Sequence, residues 1–344
     1  MTARVANNTV SQLRVERMPL ARSLELSADH HGPFGALSYG ARADVPWMSS
    51  VRARVLSPAG PMVDVWHAGA HVESGTTGSV RWRTDGHWLL GAVDLDEAAA
   101  EGGLAELSRR SYQNLFEALR QADCPHLLRL WNYLPQINAD GGGLERYRQF
   151  NLGRQQAFLD AGQAAFDGAP AACAIGLHKG RLCVRFLAGR TPPVPIENPR
   201  QVSAYRYPAS YGPRAPTFSR AALASLGGGE IALFISGTAS IVGHETVHAG
   251  DVLAQLRETL TNLHAVIDAA NARTTARFDL ARTDCVVYVR HTDHAPLIRR
   301  ELEQALGADA HTLREAVFLK ADICRSDLLV EIEAHATAPG ELAS

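Results

Sequence analysis

The last third of the chain alternates short apolar runs with helical stripes, and this pattern predicts an α/β unit. Apolar residues recur every three or four positions from Leu253 to Ala270, which is the spacing of one helix face. Asp251 occupies the N-cap position of this helix, directly after Gly250. A second helix is predicted near 295–306, and apolar runs of strand length lie at 231–236, 284–290, 315–320 and 328–334. The resulting order is βαβαββ, with both helices expected on one face of a sheet.

The middle of the chain repeats this pattern about 148 positions earlier. At that offset Asn262-Leu263 falls on Asn114-Leu115, and Ile267 falls on Leu119. A strand-like segment, a long helix and another strand then follow in the same order, at 127–134, about 144–161 and 181–188. We therefore predict two related units. The predicted division is an N-terminal domain, 1–215, with a divergent unit at about 60–190, and a C-terminal domain, 216–344.

Charge and composition exclude several classes of protein. The chain has 34 Lys and Arg against 36 Asp and Glu, so it lacks the basic excess of a general nucleic-acid binder. No run approaches the ~20 apolar residues of a membrane helix, and the first residues lack the apolar segment of a secretory signal. The five cysteines are scattered and odd in number, which favours reduced thiols. We expect a cytoplasmic protein with no nucleic-acid or membrane partner.

One segment matches a zinc-binding pattern. His244-Glu-Thr-Val-His248 has the H-E-x-x-H spacing, which requires both histidines on one helical turn. Gly243 precedes the motif and Gly250 interrupts the chain before the next helix begins. The context therefore predicts a loop and no metal site.

The last strand carries candidate acid–base chemistry. Alternation places Leu328, Val330, Ile332 and Ala334 on one face and Leu329, Glu331, Glu333 and His335 on the other. In a solvated face these carboxylates would be ordinary surface charges. In a covered face the pKa of Glu331 would rise, as suits a general acid or base. The sequence leaves both interpretations open.

Two further segments are typical of anion binding. Tyr147, Asn151 and Arg154 share one face of the helix at 144–161, which suits a carboxylate, although a lone arginine is more often a surface charge. The segment from Tyr205 to Arg220 combines tyrosines, arginines and prolines. It is either a binding loop for an anionic ring or a loop packed by its own aromatic side chains.

These segments resemble known families. The stretch from Ile235 to Ala270 and the ending VEIEA (330–334) resemble the RidA/YjgF family. The segments LGRQQAFLDAG, YPASYGPRAPTFSRA, ISGTASIVGHE and DICRSDLLVEIE resemble the chorismatases, RidA-related enzymes that act on chorismate. Within that family the chain resembles the 3-hydroxybenzoate and dual 3- and 4-hydroxybenzoate synthases of xanthomonads, which supply pigment and quinone precursors.

The resemblance implies an α/β fold of two RidA-like units and an enzyme that needs no metal or cofactor. The implied reaction converts chorismate into 3-hydroxybenzoate, 4-hydroxybenzoate or both, plus pyruvate. Three alternatives remain open: chorismate hydrolysis to a dihydroxycyclohexadienoate, imine or enamine deamination of the RidA type, and a binding module without catalysis. RidA units form trimers, so either a monomer or a homotrimer is expected.

The resemblance also implies site residues, carried over position by position. Glu331 matches the family's catalytic glutamate, and Cys324 and Gly237 match positions tied to product choice. The expected substrate-binding residues are two arginines and two tyrosines: Arg154, Arg220, Tyr147 and Tyr211. Because Arg325 is adjacent to Cys324, we also expect a lowered pKa for this thiol.

Overall fold

The N-terminal part of the chain forms a small sheet of its own. The computed structural model describes residues 11–26, 33–41, 44–69, 71–99 and 101–343. The first elements are β1 (Arg14–Pro19), α1 (Leu20–Glu25), β2 (Gly35–Tyr39), β3 (Met48–Val51), β4 (Arg54–Ser57) and β5 (Met62–His67). Four of these strands pair in the order β1-β5-β2-β3, whereas β4 joins the edge of the last sheet.

The first α/β unit follows directly. Its elements are β6 (Glu73–Thr77), β7 (Val80–Thr84), β8 (Trp88–Leu95), α2 (Gly103–Gln121), β9 (His126–Pro135), α3 (Arg146–Asp160), β10 (Ala171–Leu177) and β11 (Leu182–Gly189). They form a six-stranded mixed sheet in the order β10-β9-β11-β8-β7-β6. Helices α2 and α3 pack on one face of it.

The second unit begins after a proline-rich connection. Its elements are β12 (Val194–Ile196), β13 (Ala221–Ser225), β14 (Glu230–Ala239), β15 (Ile241–Val242), β16 (Glu245–Thr246), α4 (Val252–Asn271), β17 (Asp284–Val289), α5 (Ala295–Leu306), α6 (His311–Glu315), β18 (Val317–Lys320) and β19 (Val330–Pro339). The seven-stranded sheet has the order β12-β13-β14-β19-β17-β18-β4.

The two units have the same topology, which confirms the predicted mixed α/β fold with a repeated βαβαββ unit. Strands β6-β7-β8-β11-β9-β10 of the first correspond one by one to β12-β13-β14-β19-β17-β18 of the second. Helix α2 begins at Gly103 and α4 at Val252, close to the predicted offset. The division at residue 215 stays a prediction, and β12, which precedes it, pairs with the second sheet.

Helix α4 shows how the local sequence determines where a helix begins and which of its faces is buried. The Asp251 carboxylate accepts hydrogen bonds from the backbone N–H groups of Leu253 and Ala254, at 3.1 and 3.0 Å. The buried stripe includes Leu256, Leu263 and Ile267, and each such side chain contributes about 1.5–3 kcal/mol when removed from water. None of the helices in the described part of the chain has the length and apolar character to cross a membrane.

A central core joins the three sheets. It contains Trp66 and Tyr39 of the N-terminal sheet, Trp131 and Tyr133 of the first unit, and Phe234 and Tyr288 of the second. The sheet faces that turn away from the helices are therefore covered by one another. Glu331 and Glu333 of β19 face this interior, and each is only 3% exposed. The face of the last strand that carries these carboxyl groups is therefore covered, not solvated.

Candidate active site

Glu331 is a buried carboxyl group on the central strand of the second unit. It pairs with Ala239 of β14 on one side and Tyr288 of β17 on the other. Burial raises the pKa of Glu331 to about 8, and the negative charge of Glu333 adds to this shift. At neutral pH this shift favours the protonated carboxyl, which can donate its proton.

Glu333 is fixed beside it as one member of a buried ion pair. Arg129 of β9 donates to its Oε2 at 2.5 Å, and the hydroxyl of Tyr288 donates to its Oε1 at 3.0 Å. The hydroxyl of Tyr133 lies 3.0 Å from that of Tyr288. Because these groups hold the Glu333 carboxylate in place, its charge disfavours ionisation of Glu331 two residues away on the same face.

Gly237 makes room for the Glu331 carboxyl. The pairing of β14 with β19 shifts register between Ile235 and Thr238, so Gly237 lies in a β-bulge. A Cβ atom at this position would overlap the Oε1 atom of Glu331 and approach the Cβ of Cys173 to 3.3 Å. Any larger residue must therefore displace the carboxyl group.

A cavity of about 310 Å³ opens onto Glu331, where the second unit meets the start of α3 in the first. Six of the seven predicted site residues line it: Glu331, Cys324, Gly237, Arg220, Tyr147 and Tyr211. The other lining residues include Glu145, Arg148, Tyr207, Phe218, Ala239, Arg325, Ser326 and Asp327. The volume suits a small molecule.

Two guanidinium groups at the cavity have hydrogen-bond donors to spare. Arg220, which is 5% exposed, donates to the carbonyl oxygen of Val202 at 2.7 Å and to the hydroxyl of Tyr207 at 2.8 Å. Arg325 stacks on the ring of Tyr211 at 4.2 Å from its centroid. Within the described residues, Arg220 Nε and Arg325 Nη2 are buried and have no hydrogen-bond partner. Such donors suit anionic groups of a ligand.

Arg325 was not predicted from the sequence to be a binding residue. The only effect expected of it was on the pKa of the neighbouring Cys324. The available signal was its position in the loop that leads into β19, on the segment that resembles chorismatases.

The H-E-x-x-H segment supports the cavity and does not form a helix. As predicted from its glycines it is a turn, formed by the β15–β16 hairpin, and His248 has a positive φ of 60°. Nδ1 of His244 lies 3.3 Å from the hydroxyl of Tyr211, and the two rings meet edge to face. His244 thus positions Tyr211.

The expectation of a lowered pKa for Cys324 is wrong. Burial raises the pKa of this thiol to about 12, and the nearby Glu331 adds to the effect. The positive charge of Arg325 acts in the opposite direction but is outweighed. Cys324 is therefore a neutral thiol in the cavity wall.

Arg154 does not line the cavity. Its guanidinium is buried among three aromatic rings, 5.3 Å from the centroid of Tyr112, 5.5 Å from Phe158 and 5.9 Å from Phe150. Its Nε and Nη2 atoms have no hydrogen-bond partner among the described residues. Tyr147, on the same helix, does line the cavity, and burial raises the pKa of its hydroxyl. The role of Arg154 in binding stays a prediction.

Comparison with known proteins agrees with the resemblance seen in the sequence. The family model "Chorismatase FkbO/Hyg5-like, N-terminal" matches residues 64–188, which is the first unit with the end of β5. A 3-hydroxybenzoate synthase of Streptomyces hygroscopicus is 36% identical over 315 residues, 87% of this chain and 90% of the relative. A chorismatase of Streptomyces rapamycinicus is 41% identical over 277 residues, 78% of this chain and 80% of the relative.

The fold agrees over nearly the whole length. The crystal structure of a chorismatase superposes with a TM-score of 0.81 and 33% sequence identity, over 95% of this chain and 99% of that one. The chain therefore belongs to the chorismatase family of enzymes.

Proposed function

We propose that this protein converts chorismate into 3-hydroxybenzoate, 4-hydroxybenzoate or both, with release of pyruvate. The observation that carries the proposal is a buried carboxyl with a raised pKa, Glu331, in one cavity with the spare donors of Arg220 and Arg325. Chorismate has an enol ether that can accept a proton and two carboxylates that can bind guanidinium groups. A relative that matches 87% of the chain is named 3-hydroxybenzoate synthase.

Arg220 and Arg325 bind the carboxylates of the substrate in this scheme. A hydrogen bond to a charged group contributes about 1.5–3 kcal/mol, and both arginines are held in position by tyrosine rings. Tyr147 and Tyr211 form the sides of the cavity. Arg154 adds positive charge close to Tyr147, which is the binding role that we propose for it.

Glu331 starts the reaction by donating its proton to the methylene carbon of the enolpyruvyl group. The bond between ring carbon C3 and the side-chain oxygen then breaks, and the side chain leaves as pyruvate. The hydroxyl oxygen on C4 closes onto C3 to give an arene oxide, and its proton returns to Glu331. The carboxyl is thereby regenerated, and neither metal nor redox equivalent is consumed.

Opening of the arene oxide decides the product. Cleavage of the C4–O bond leaves the oxygen on C3, and loss of the hydrogen from C3 as a proton gives 3-hydroxybenzoate. Cleavage of the C3–O bond gives 4-hydroxybenzoate in the same way. We assign the direction of opening to Cys324, a neutral thiol in the cavity wall, with Gly237 giving Glu331 the position that this route needs.

Incubation of the purified protein with chorismate, followed by chromatography, tests the proposal. Hydroxybenzoate and pyruvate are expected in equal amounts, with a rate that a chelator does not change. Pyruvate with a dihydroxycyclohexadienoate as the only other product would identify a hydrolase. Unchanged chorismate beside turnover of 2-aminoacrylate would identify a deaminase and contradict the proposal.

The product ratio tests the assignment of Cys324. We expect Cys324→Ala to change the proportion of 3-hydroxybenzoate while chorismate is still consumed. Cys124→Ala, a buried thiol in the first unit, is the control and should leave the proportion unchanged. An unchanged proportion in both variants would limit Cys324 to packing.

A further inference from the structure

The shared topology gives every strand position in the second unit a counterpart in the first. Glu331 pairs with Ala239 and Tyr288, and the residue with the same pairing in the first unit is Cys183, which pairs with Asp94 and Tyr133. The next residue on the same face of each strand is Glu333 on β19 and Arg185 on β11. The first unit therefore carries an arginine where the second carries a carboxylate.

The counterpart position also opens onto a cavity. This second cavity has a volume of about 670 Å³ and lies where the first unit meets β3 of the N-terminal sheet. Its lining includes the end of β8, residues 177–181 and the start of β11. The cavity at Glu331 uses the equivalent segments of the second unit, namely the end of β14, the loop 324–327 and the start of β19.

The charges of the second cavity are mainly positive. Five cationic side chains line it, against the carboxylates of Asp44 and Asp94: Arg52, Arg81, Lys179, Arg181 and Arg185. Arg185 and Arg81 share Asp94, which they approach to 2.5 and 3.2 Å. Among the residues that the structure describes, no ion pair involves Arg52, Lys179 or Arg181, whose side chains are exposed at the cavity.

Arg185 gives this cavity a buried, pre-positioned cation. It is only 3% exposed and also donates to the backbone carbonyl of Ser50 at 3.3 Å. Its buried Nε atom has no hydrogen-bond partner in the described part of the chain. A concave surface lined by one sign of charge focuses the electrostatic field and concentrates ions of the opposite sign.

We propose that this second cavity is a binding site for a small polyanion that carries phosphate or carboxylate groups. Arg52, Lys179 and Arg181 supply the charges that bind the ligand, and the ion pairs with Arg185 and Arg81 neutralise the Asp94 carboxylate. The site binds and does not transfer protons, because burial raises the pKa of Cys183 to about 12 and no acid stands at the position of Glu331.

Isothermal titration calorimetry with inorganic pyrophosphate and with citrate tests the site in the full-length protein. At low salt we expect one pyrophosphate or citrate bound per chain outside the cavity at Glu331, with an affinity that falls as salt is added. The probe that binds more tightly, pyrophosphate or citrate, identifies phosphate or carboxylate as the natural group.

Matched variants locate the binding. Lys179→Gln combined with Arg181→Gln should weaken it at least tenfold. Arg110→Gln, which removes an exposed charge on α2, and Arg220→Ala, in the cavity at Glu331, should not change it. Absence of binding at millimolar probe, or binding that is lost in Arg220→Ala and retained in the double variant, would overturn the proposal. Circular dichroism of each variant establishes that it is folded.

Discussion

The two α/β units build the same sheet and place different chemistry at the same position. On β19 the interior face carries Glu331 and Glu333, whereas on β11 it carries Cys183 and Arg185. The strands beside them differ as well, because β14 has a bulge at Gly237 and the pairing of β8 with β11 is regular. The shared fold forms a cavity in each unit. A few side chains and one β-bulge determine whether that cavity can transfer a proton.

The largest effect on turnover should come from removing the acidic proton of Glu331 in the second unit. Glu331→Gln keeps the shape of the side chain but has no acidic proton, so we expect chorismate turnover to fall by about 10²–10⁴-fold. Glu117→Gln, on the exposed face of α2, is the control. A rate near that of the wild type in folded Glu331→Gln would show that another group donates the proton.

Filling the space that Gly237 leaves beside the Glu331 carboxyl should have a somewhat smaller effect on the rate. In Gly237→Ala the new methyl group displaces the Glu331 carboxyl, and a shift of about 1 Å can reduce the rate by about 10²-fold. Gly60→Ala is the matched control, because a Cβ there meets nothing within 4 Å. If kcat is unchanged in Gly237→Ala, the position of the carboxyl is not what limits the reaction.

Loss of an arginine from the cavity should act on binding. Arg220→Ala is expected to raise KM for chorismate by about 10- to 150-fold, the equivalent of 1.5–3 kcal/mol, with a smaller change in kcat. Arg110→Ala serves as the control. We expect Arg154→Ala to raise KM as well; an unchanged KM with a lowered Tm would place Arg154 in the packing of α2 against α3 alone.

The smallest effect should be a shift in pH dependence. Because the reaction begins from protonated Glu331, kcat/KM should fall as pH rises through about 8. Glu333→Gln removes the neighbouring negative charge and leaves Arg129 unpaired, and both changes lower the pKa of Glu331. The fall in kcat/KM should then begin at lower pH. An identical midpoint in the variant would show that Glu333 does not set the protonation of Glu331.

The sequence predicted the second unit best because its signals are local. The stripe and N-cap of α4 and the alternation of β19 each depend on residues a few positions apart. The α4 signals were confirmed, and so was the alternation from Val330 onward. The placement of Leu328 and Leu329 was wrong, because β19 begins at Val330 and Leu329, not Leu328, packs in the helix-side core. Whether Glu331 is covered was not predictable, since Trp131 and Tyr133 lie about two hundred residues earlier in the chain. The N-terminal strands gave no usable pattern for the same reason, because their faces are buried by distant segments.

The site residues show the same limit. Helix spacing placed Tyr147 and Arg154 on one face of α3, yet the ring of Tyr112 on α2 covers Arg154, whereas Tyr147 lies at the cavity. Arg325 was missed because its stacking on Tyr211 joins two loops that no local pattern connects. Periodicity predicts on which face of its helix or strand a side chain lies. It does not predict which residues of other elements contact that side chain.

The joining of both units and a third sheet in one polypeptide has an evolutionary consequence. In a symmetric oligomer every substitution is repeated at each equivalent interface, so all sites must keep the same residues. Here codon 183 and codon 331 mutate independently, although their residues hold the same position in the repeat. Because both units lie in one chain, substitutions at the first cavity leave the residues of the second unchanged. Gene duplication has the same effect, since one copy of an enzyme can change while the other keeps its sequence.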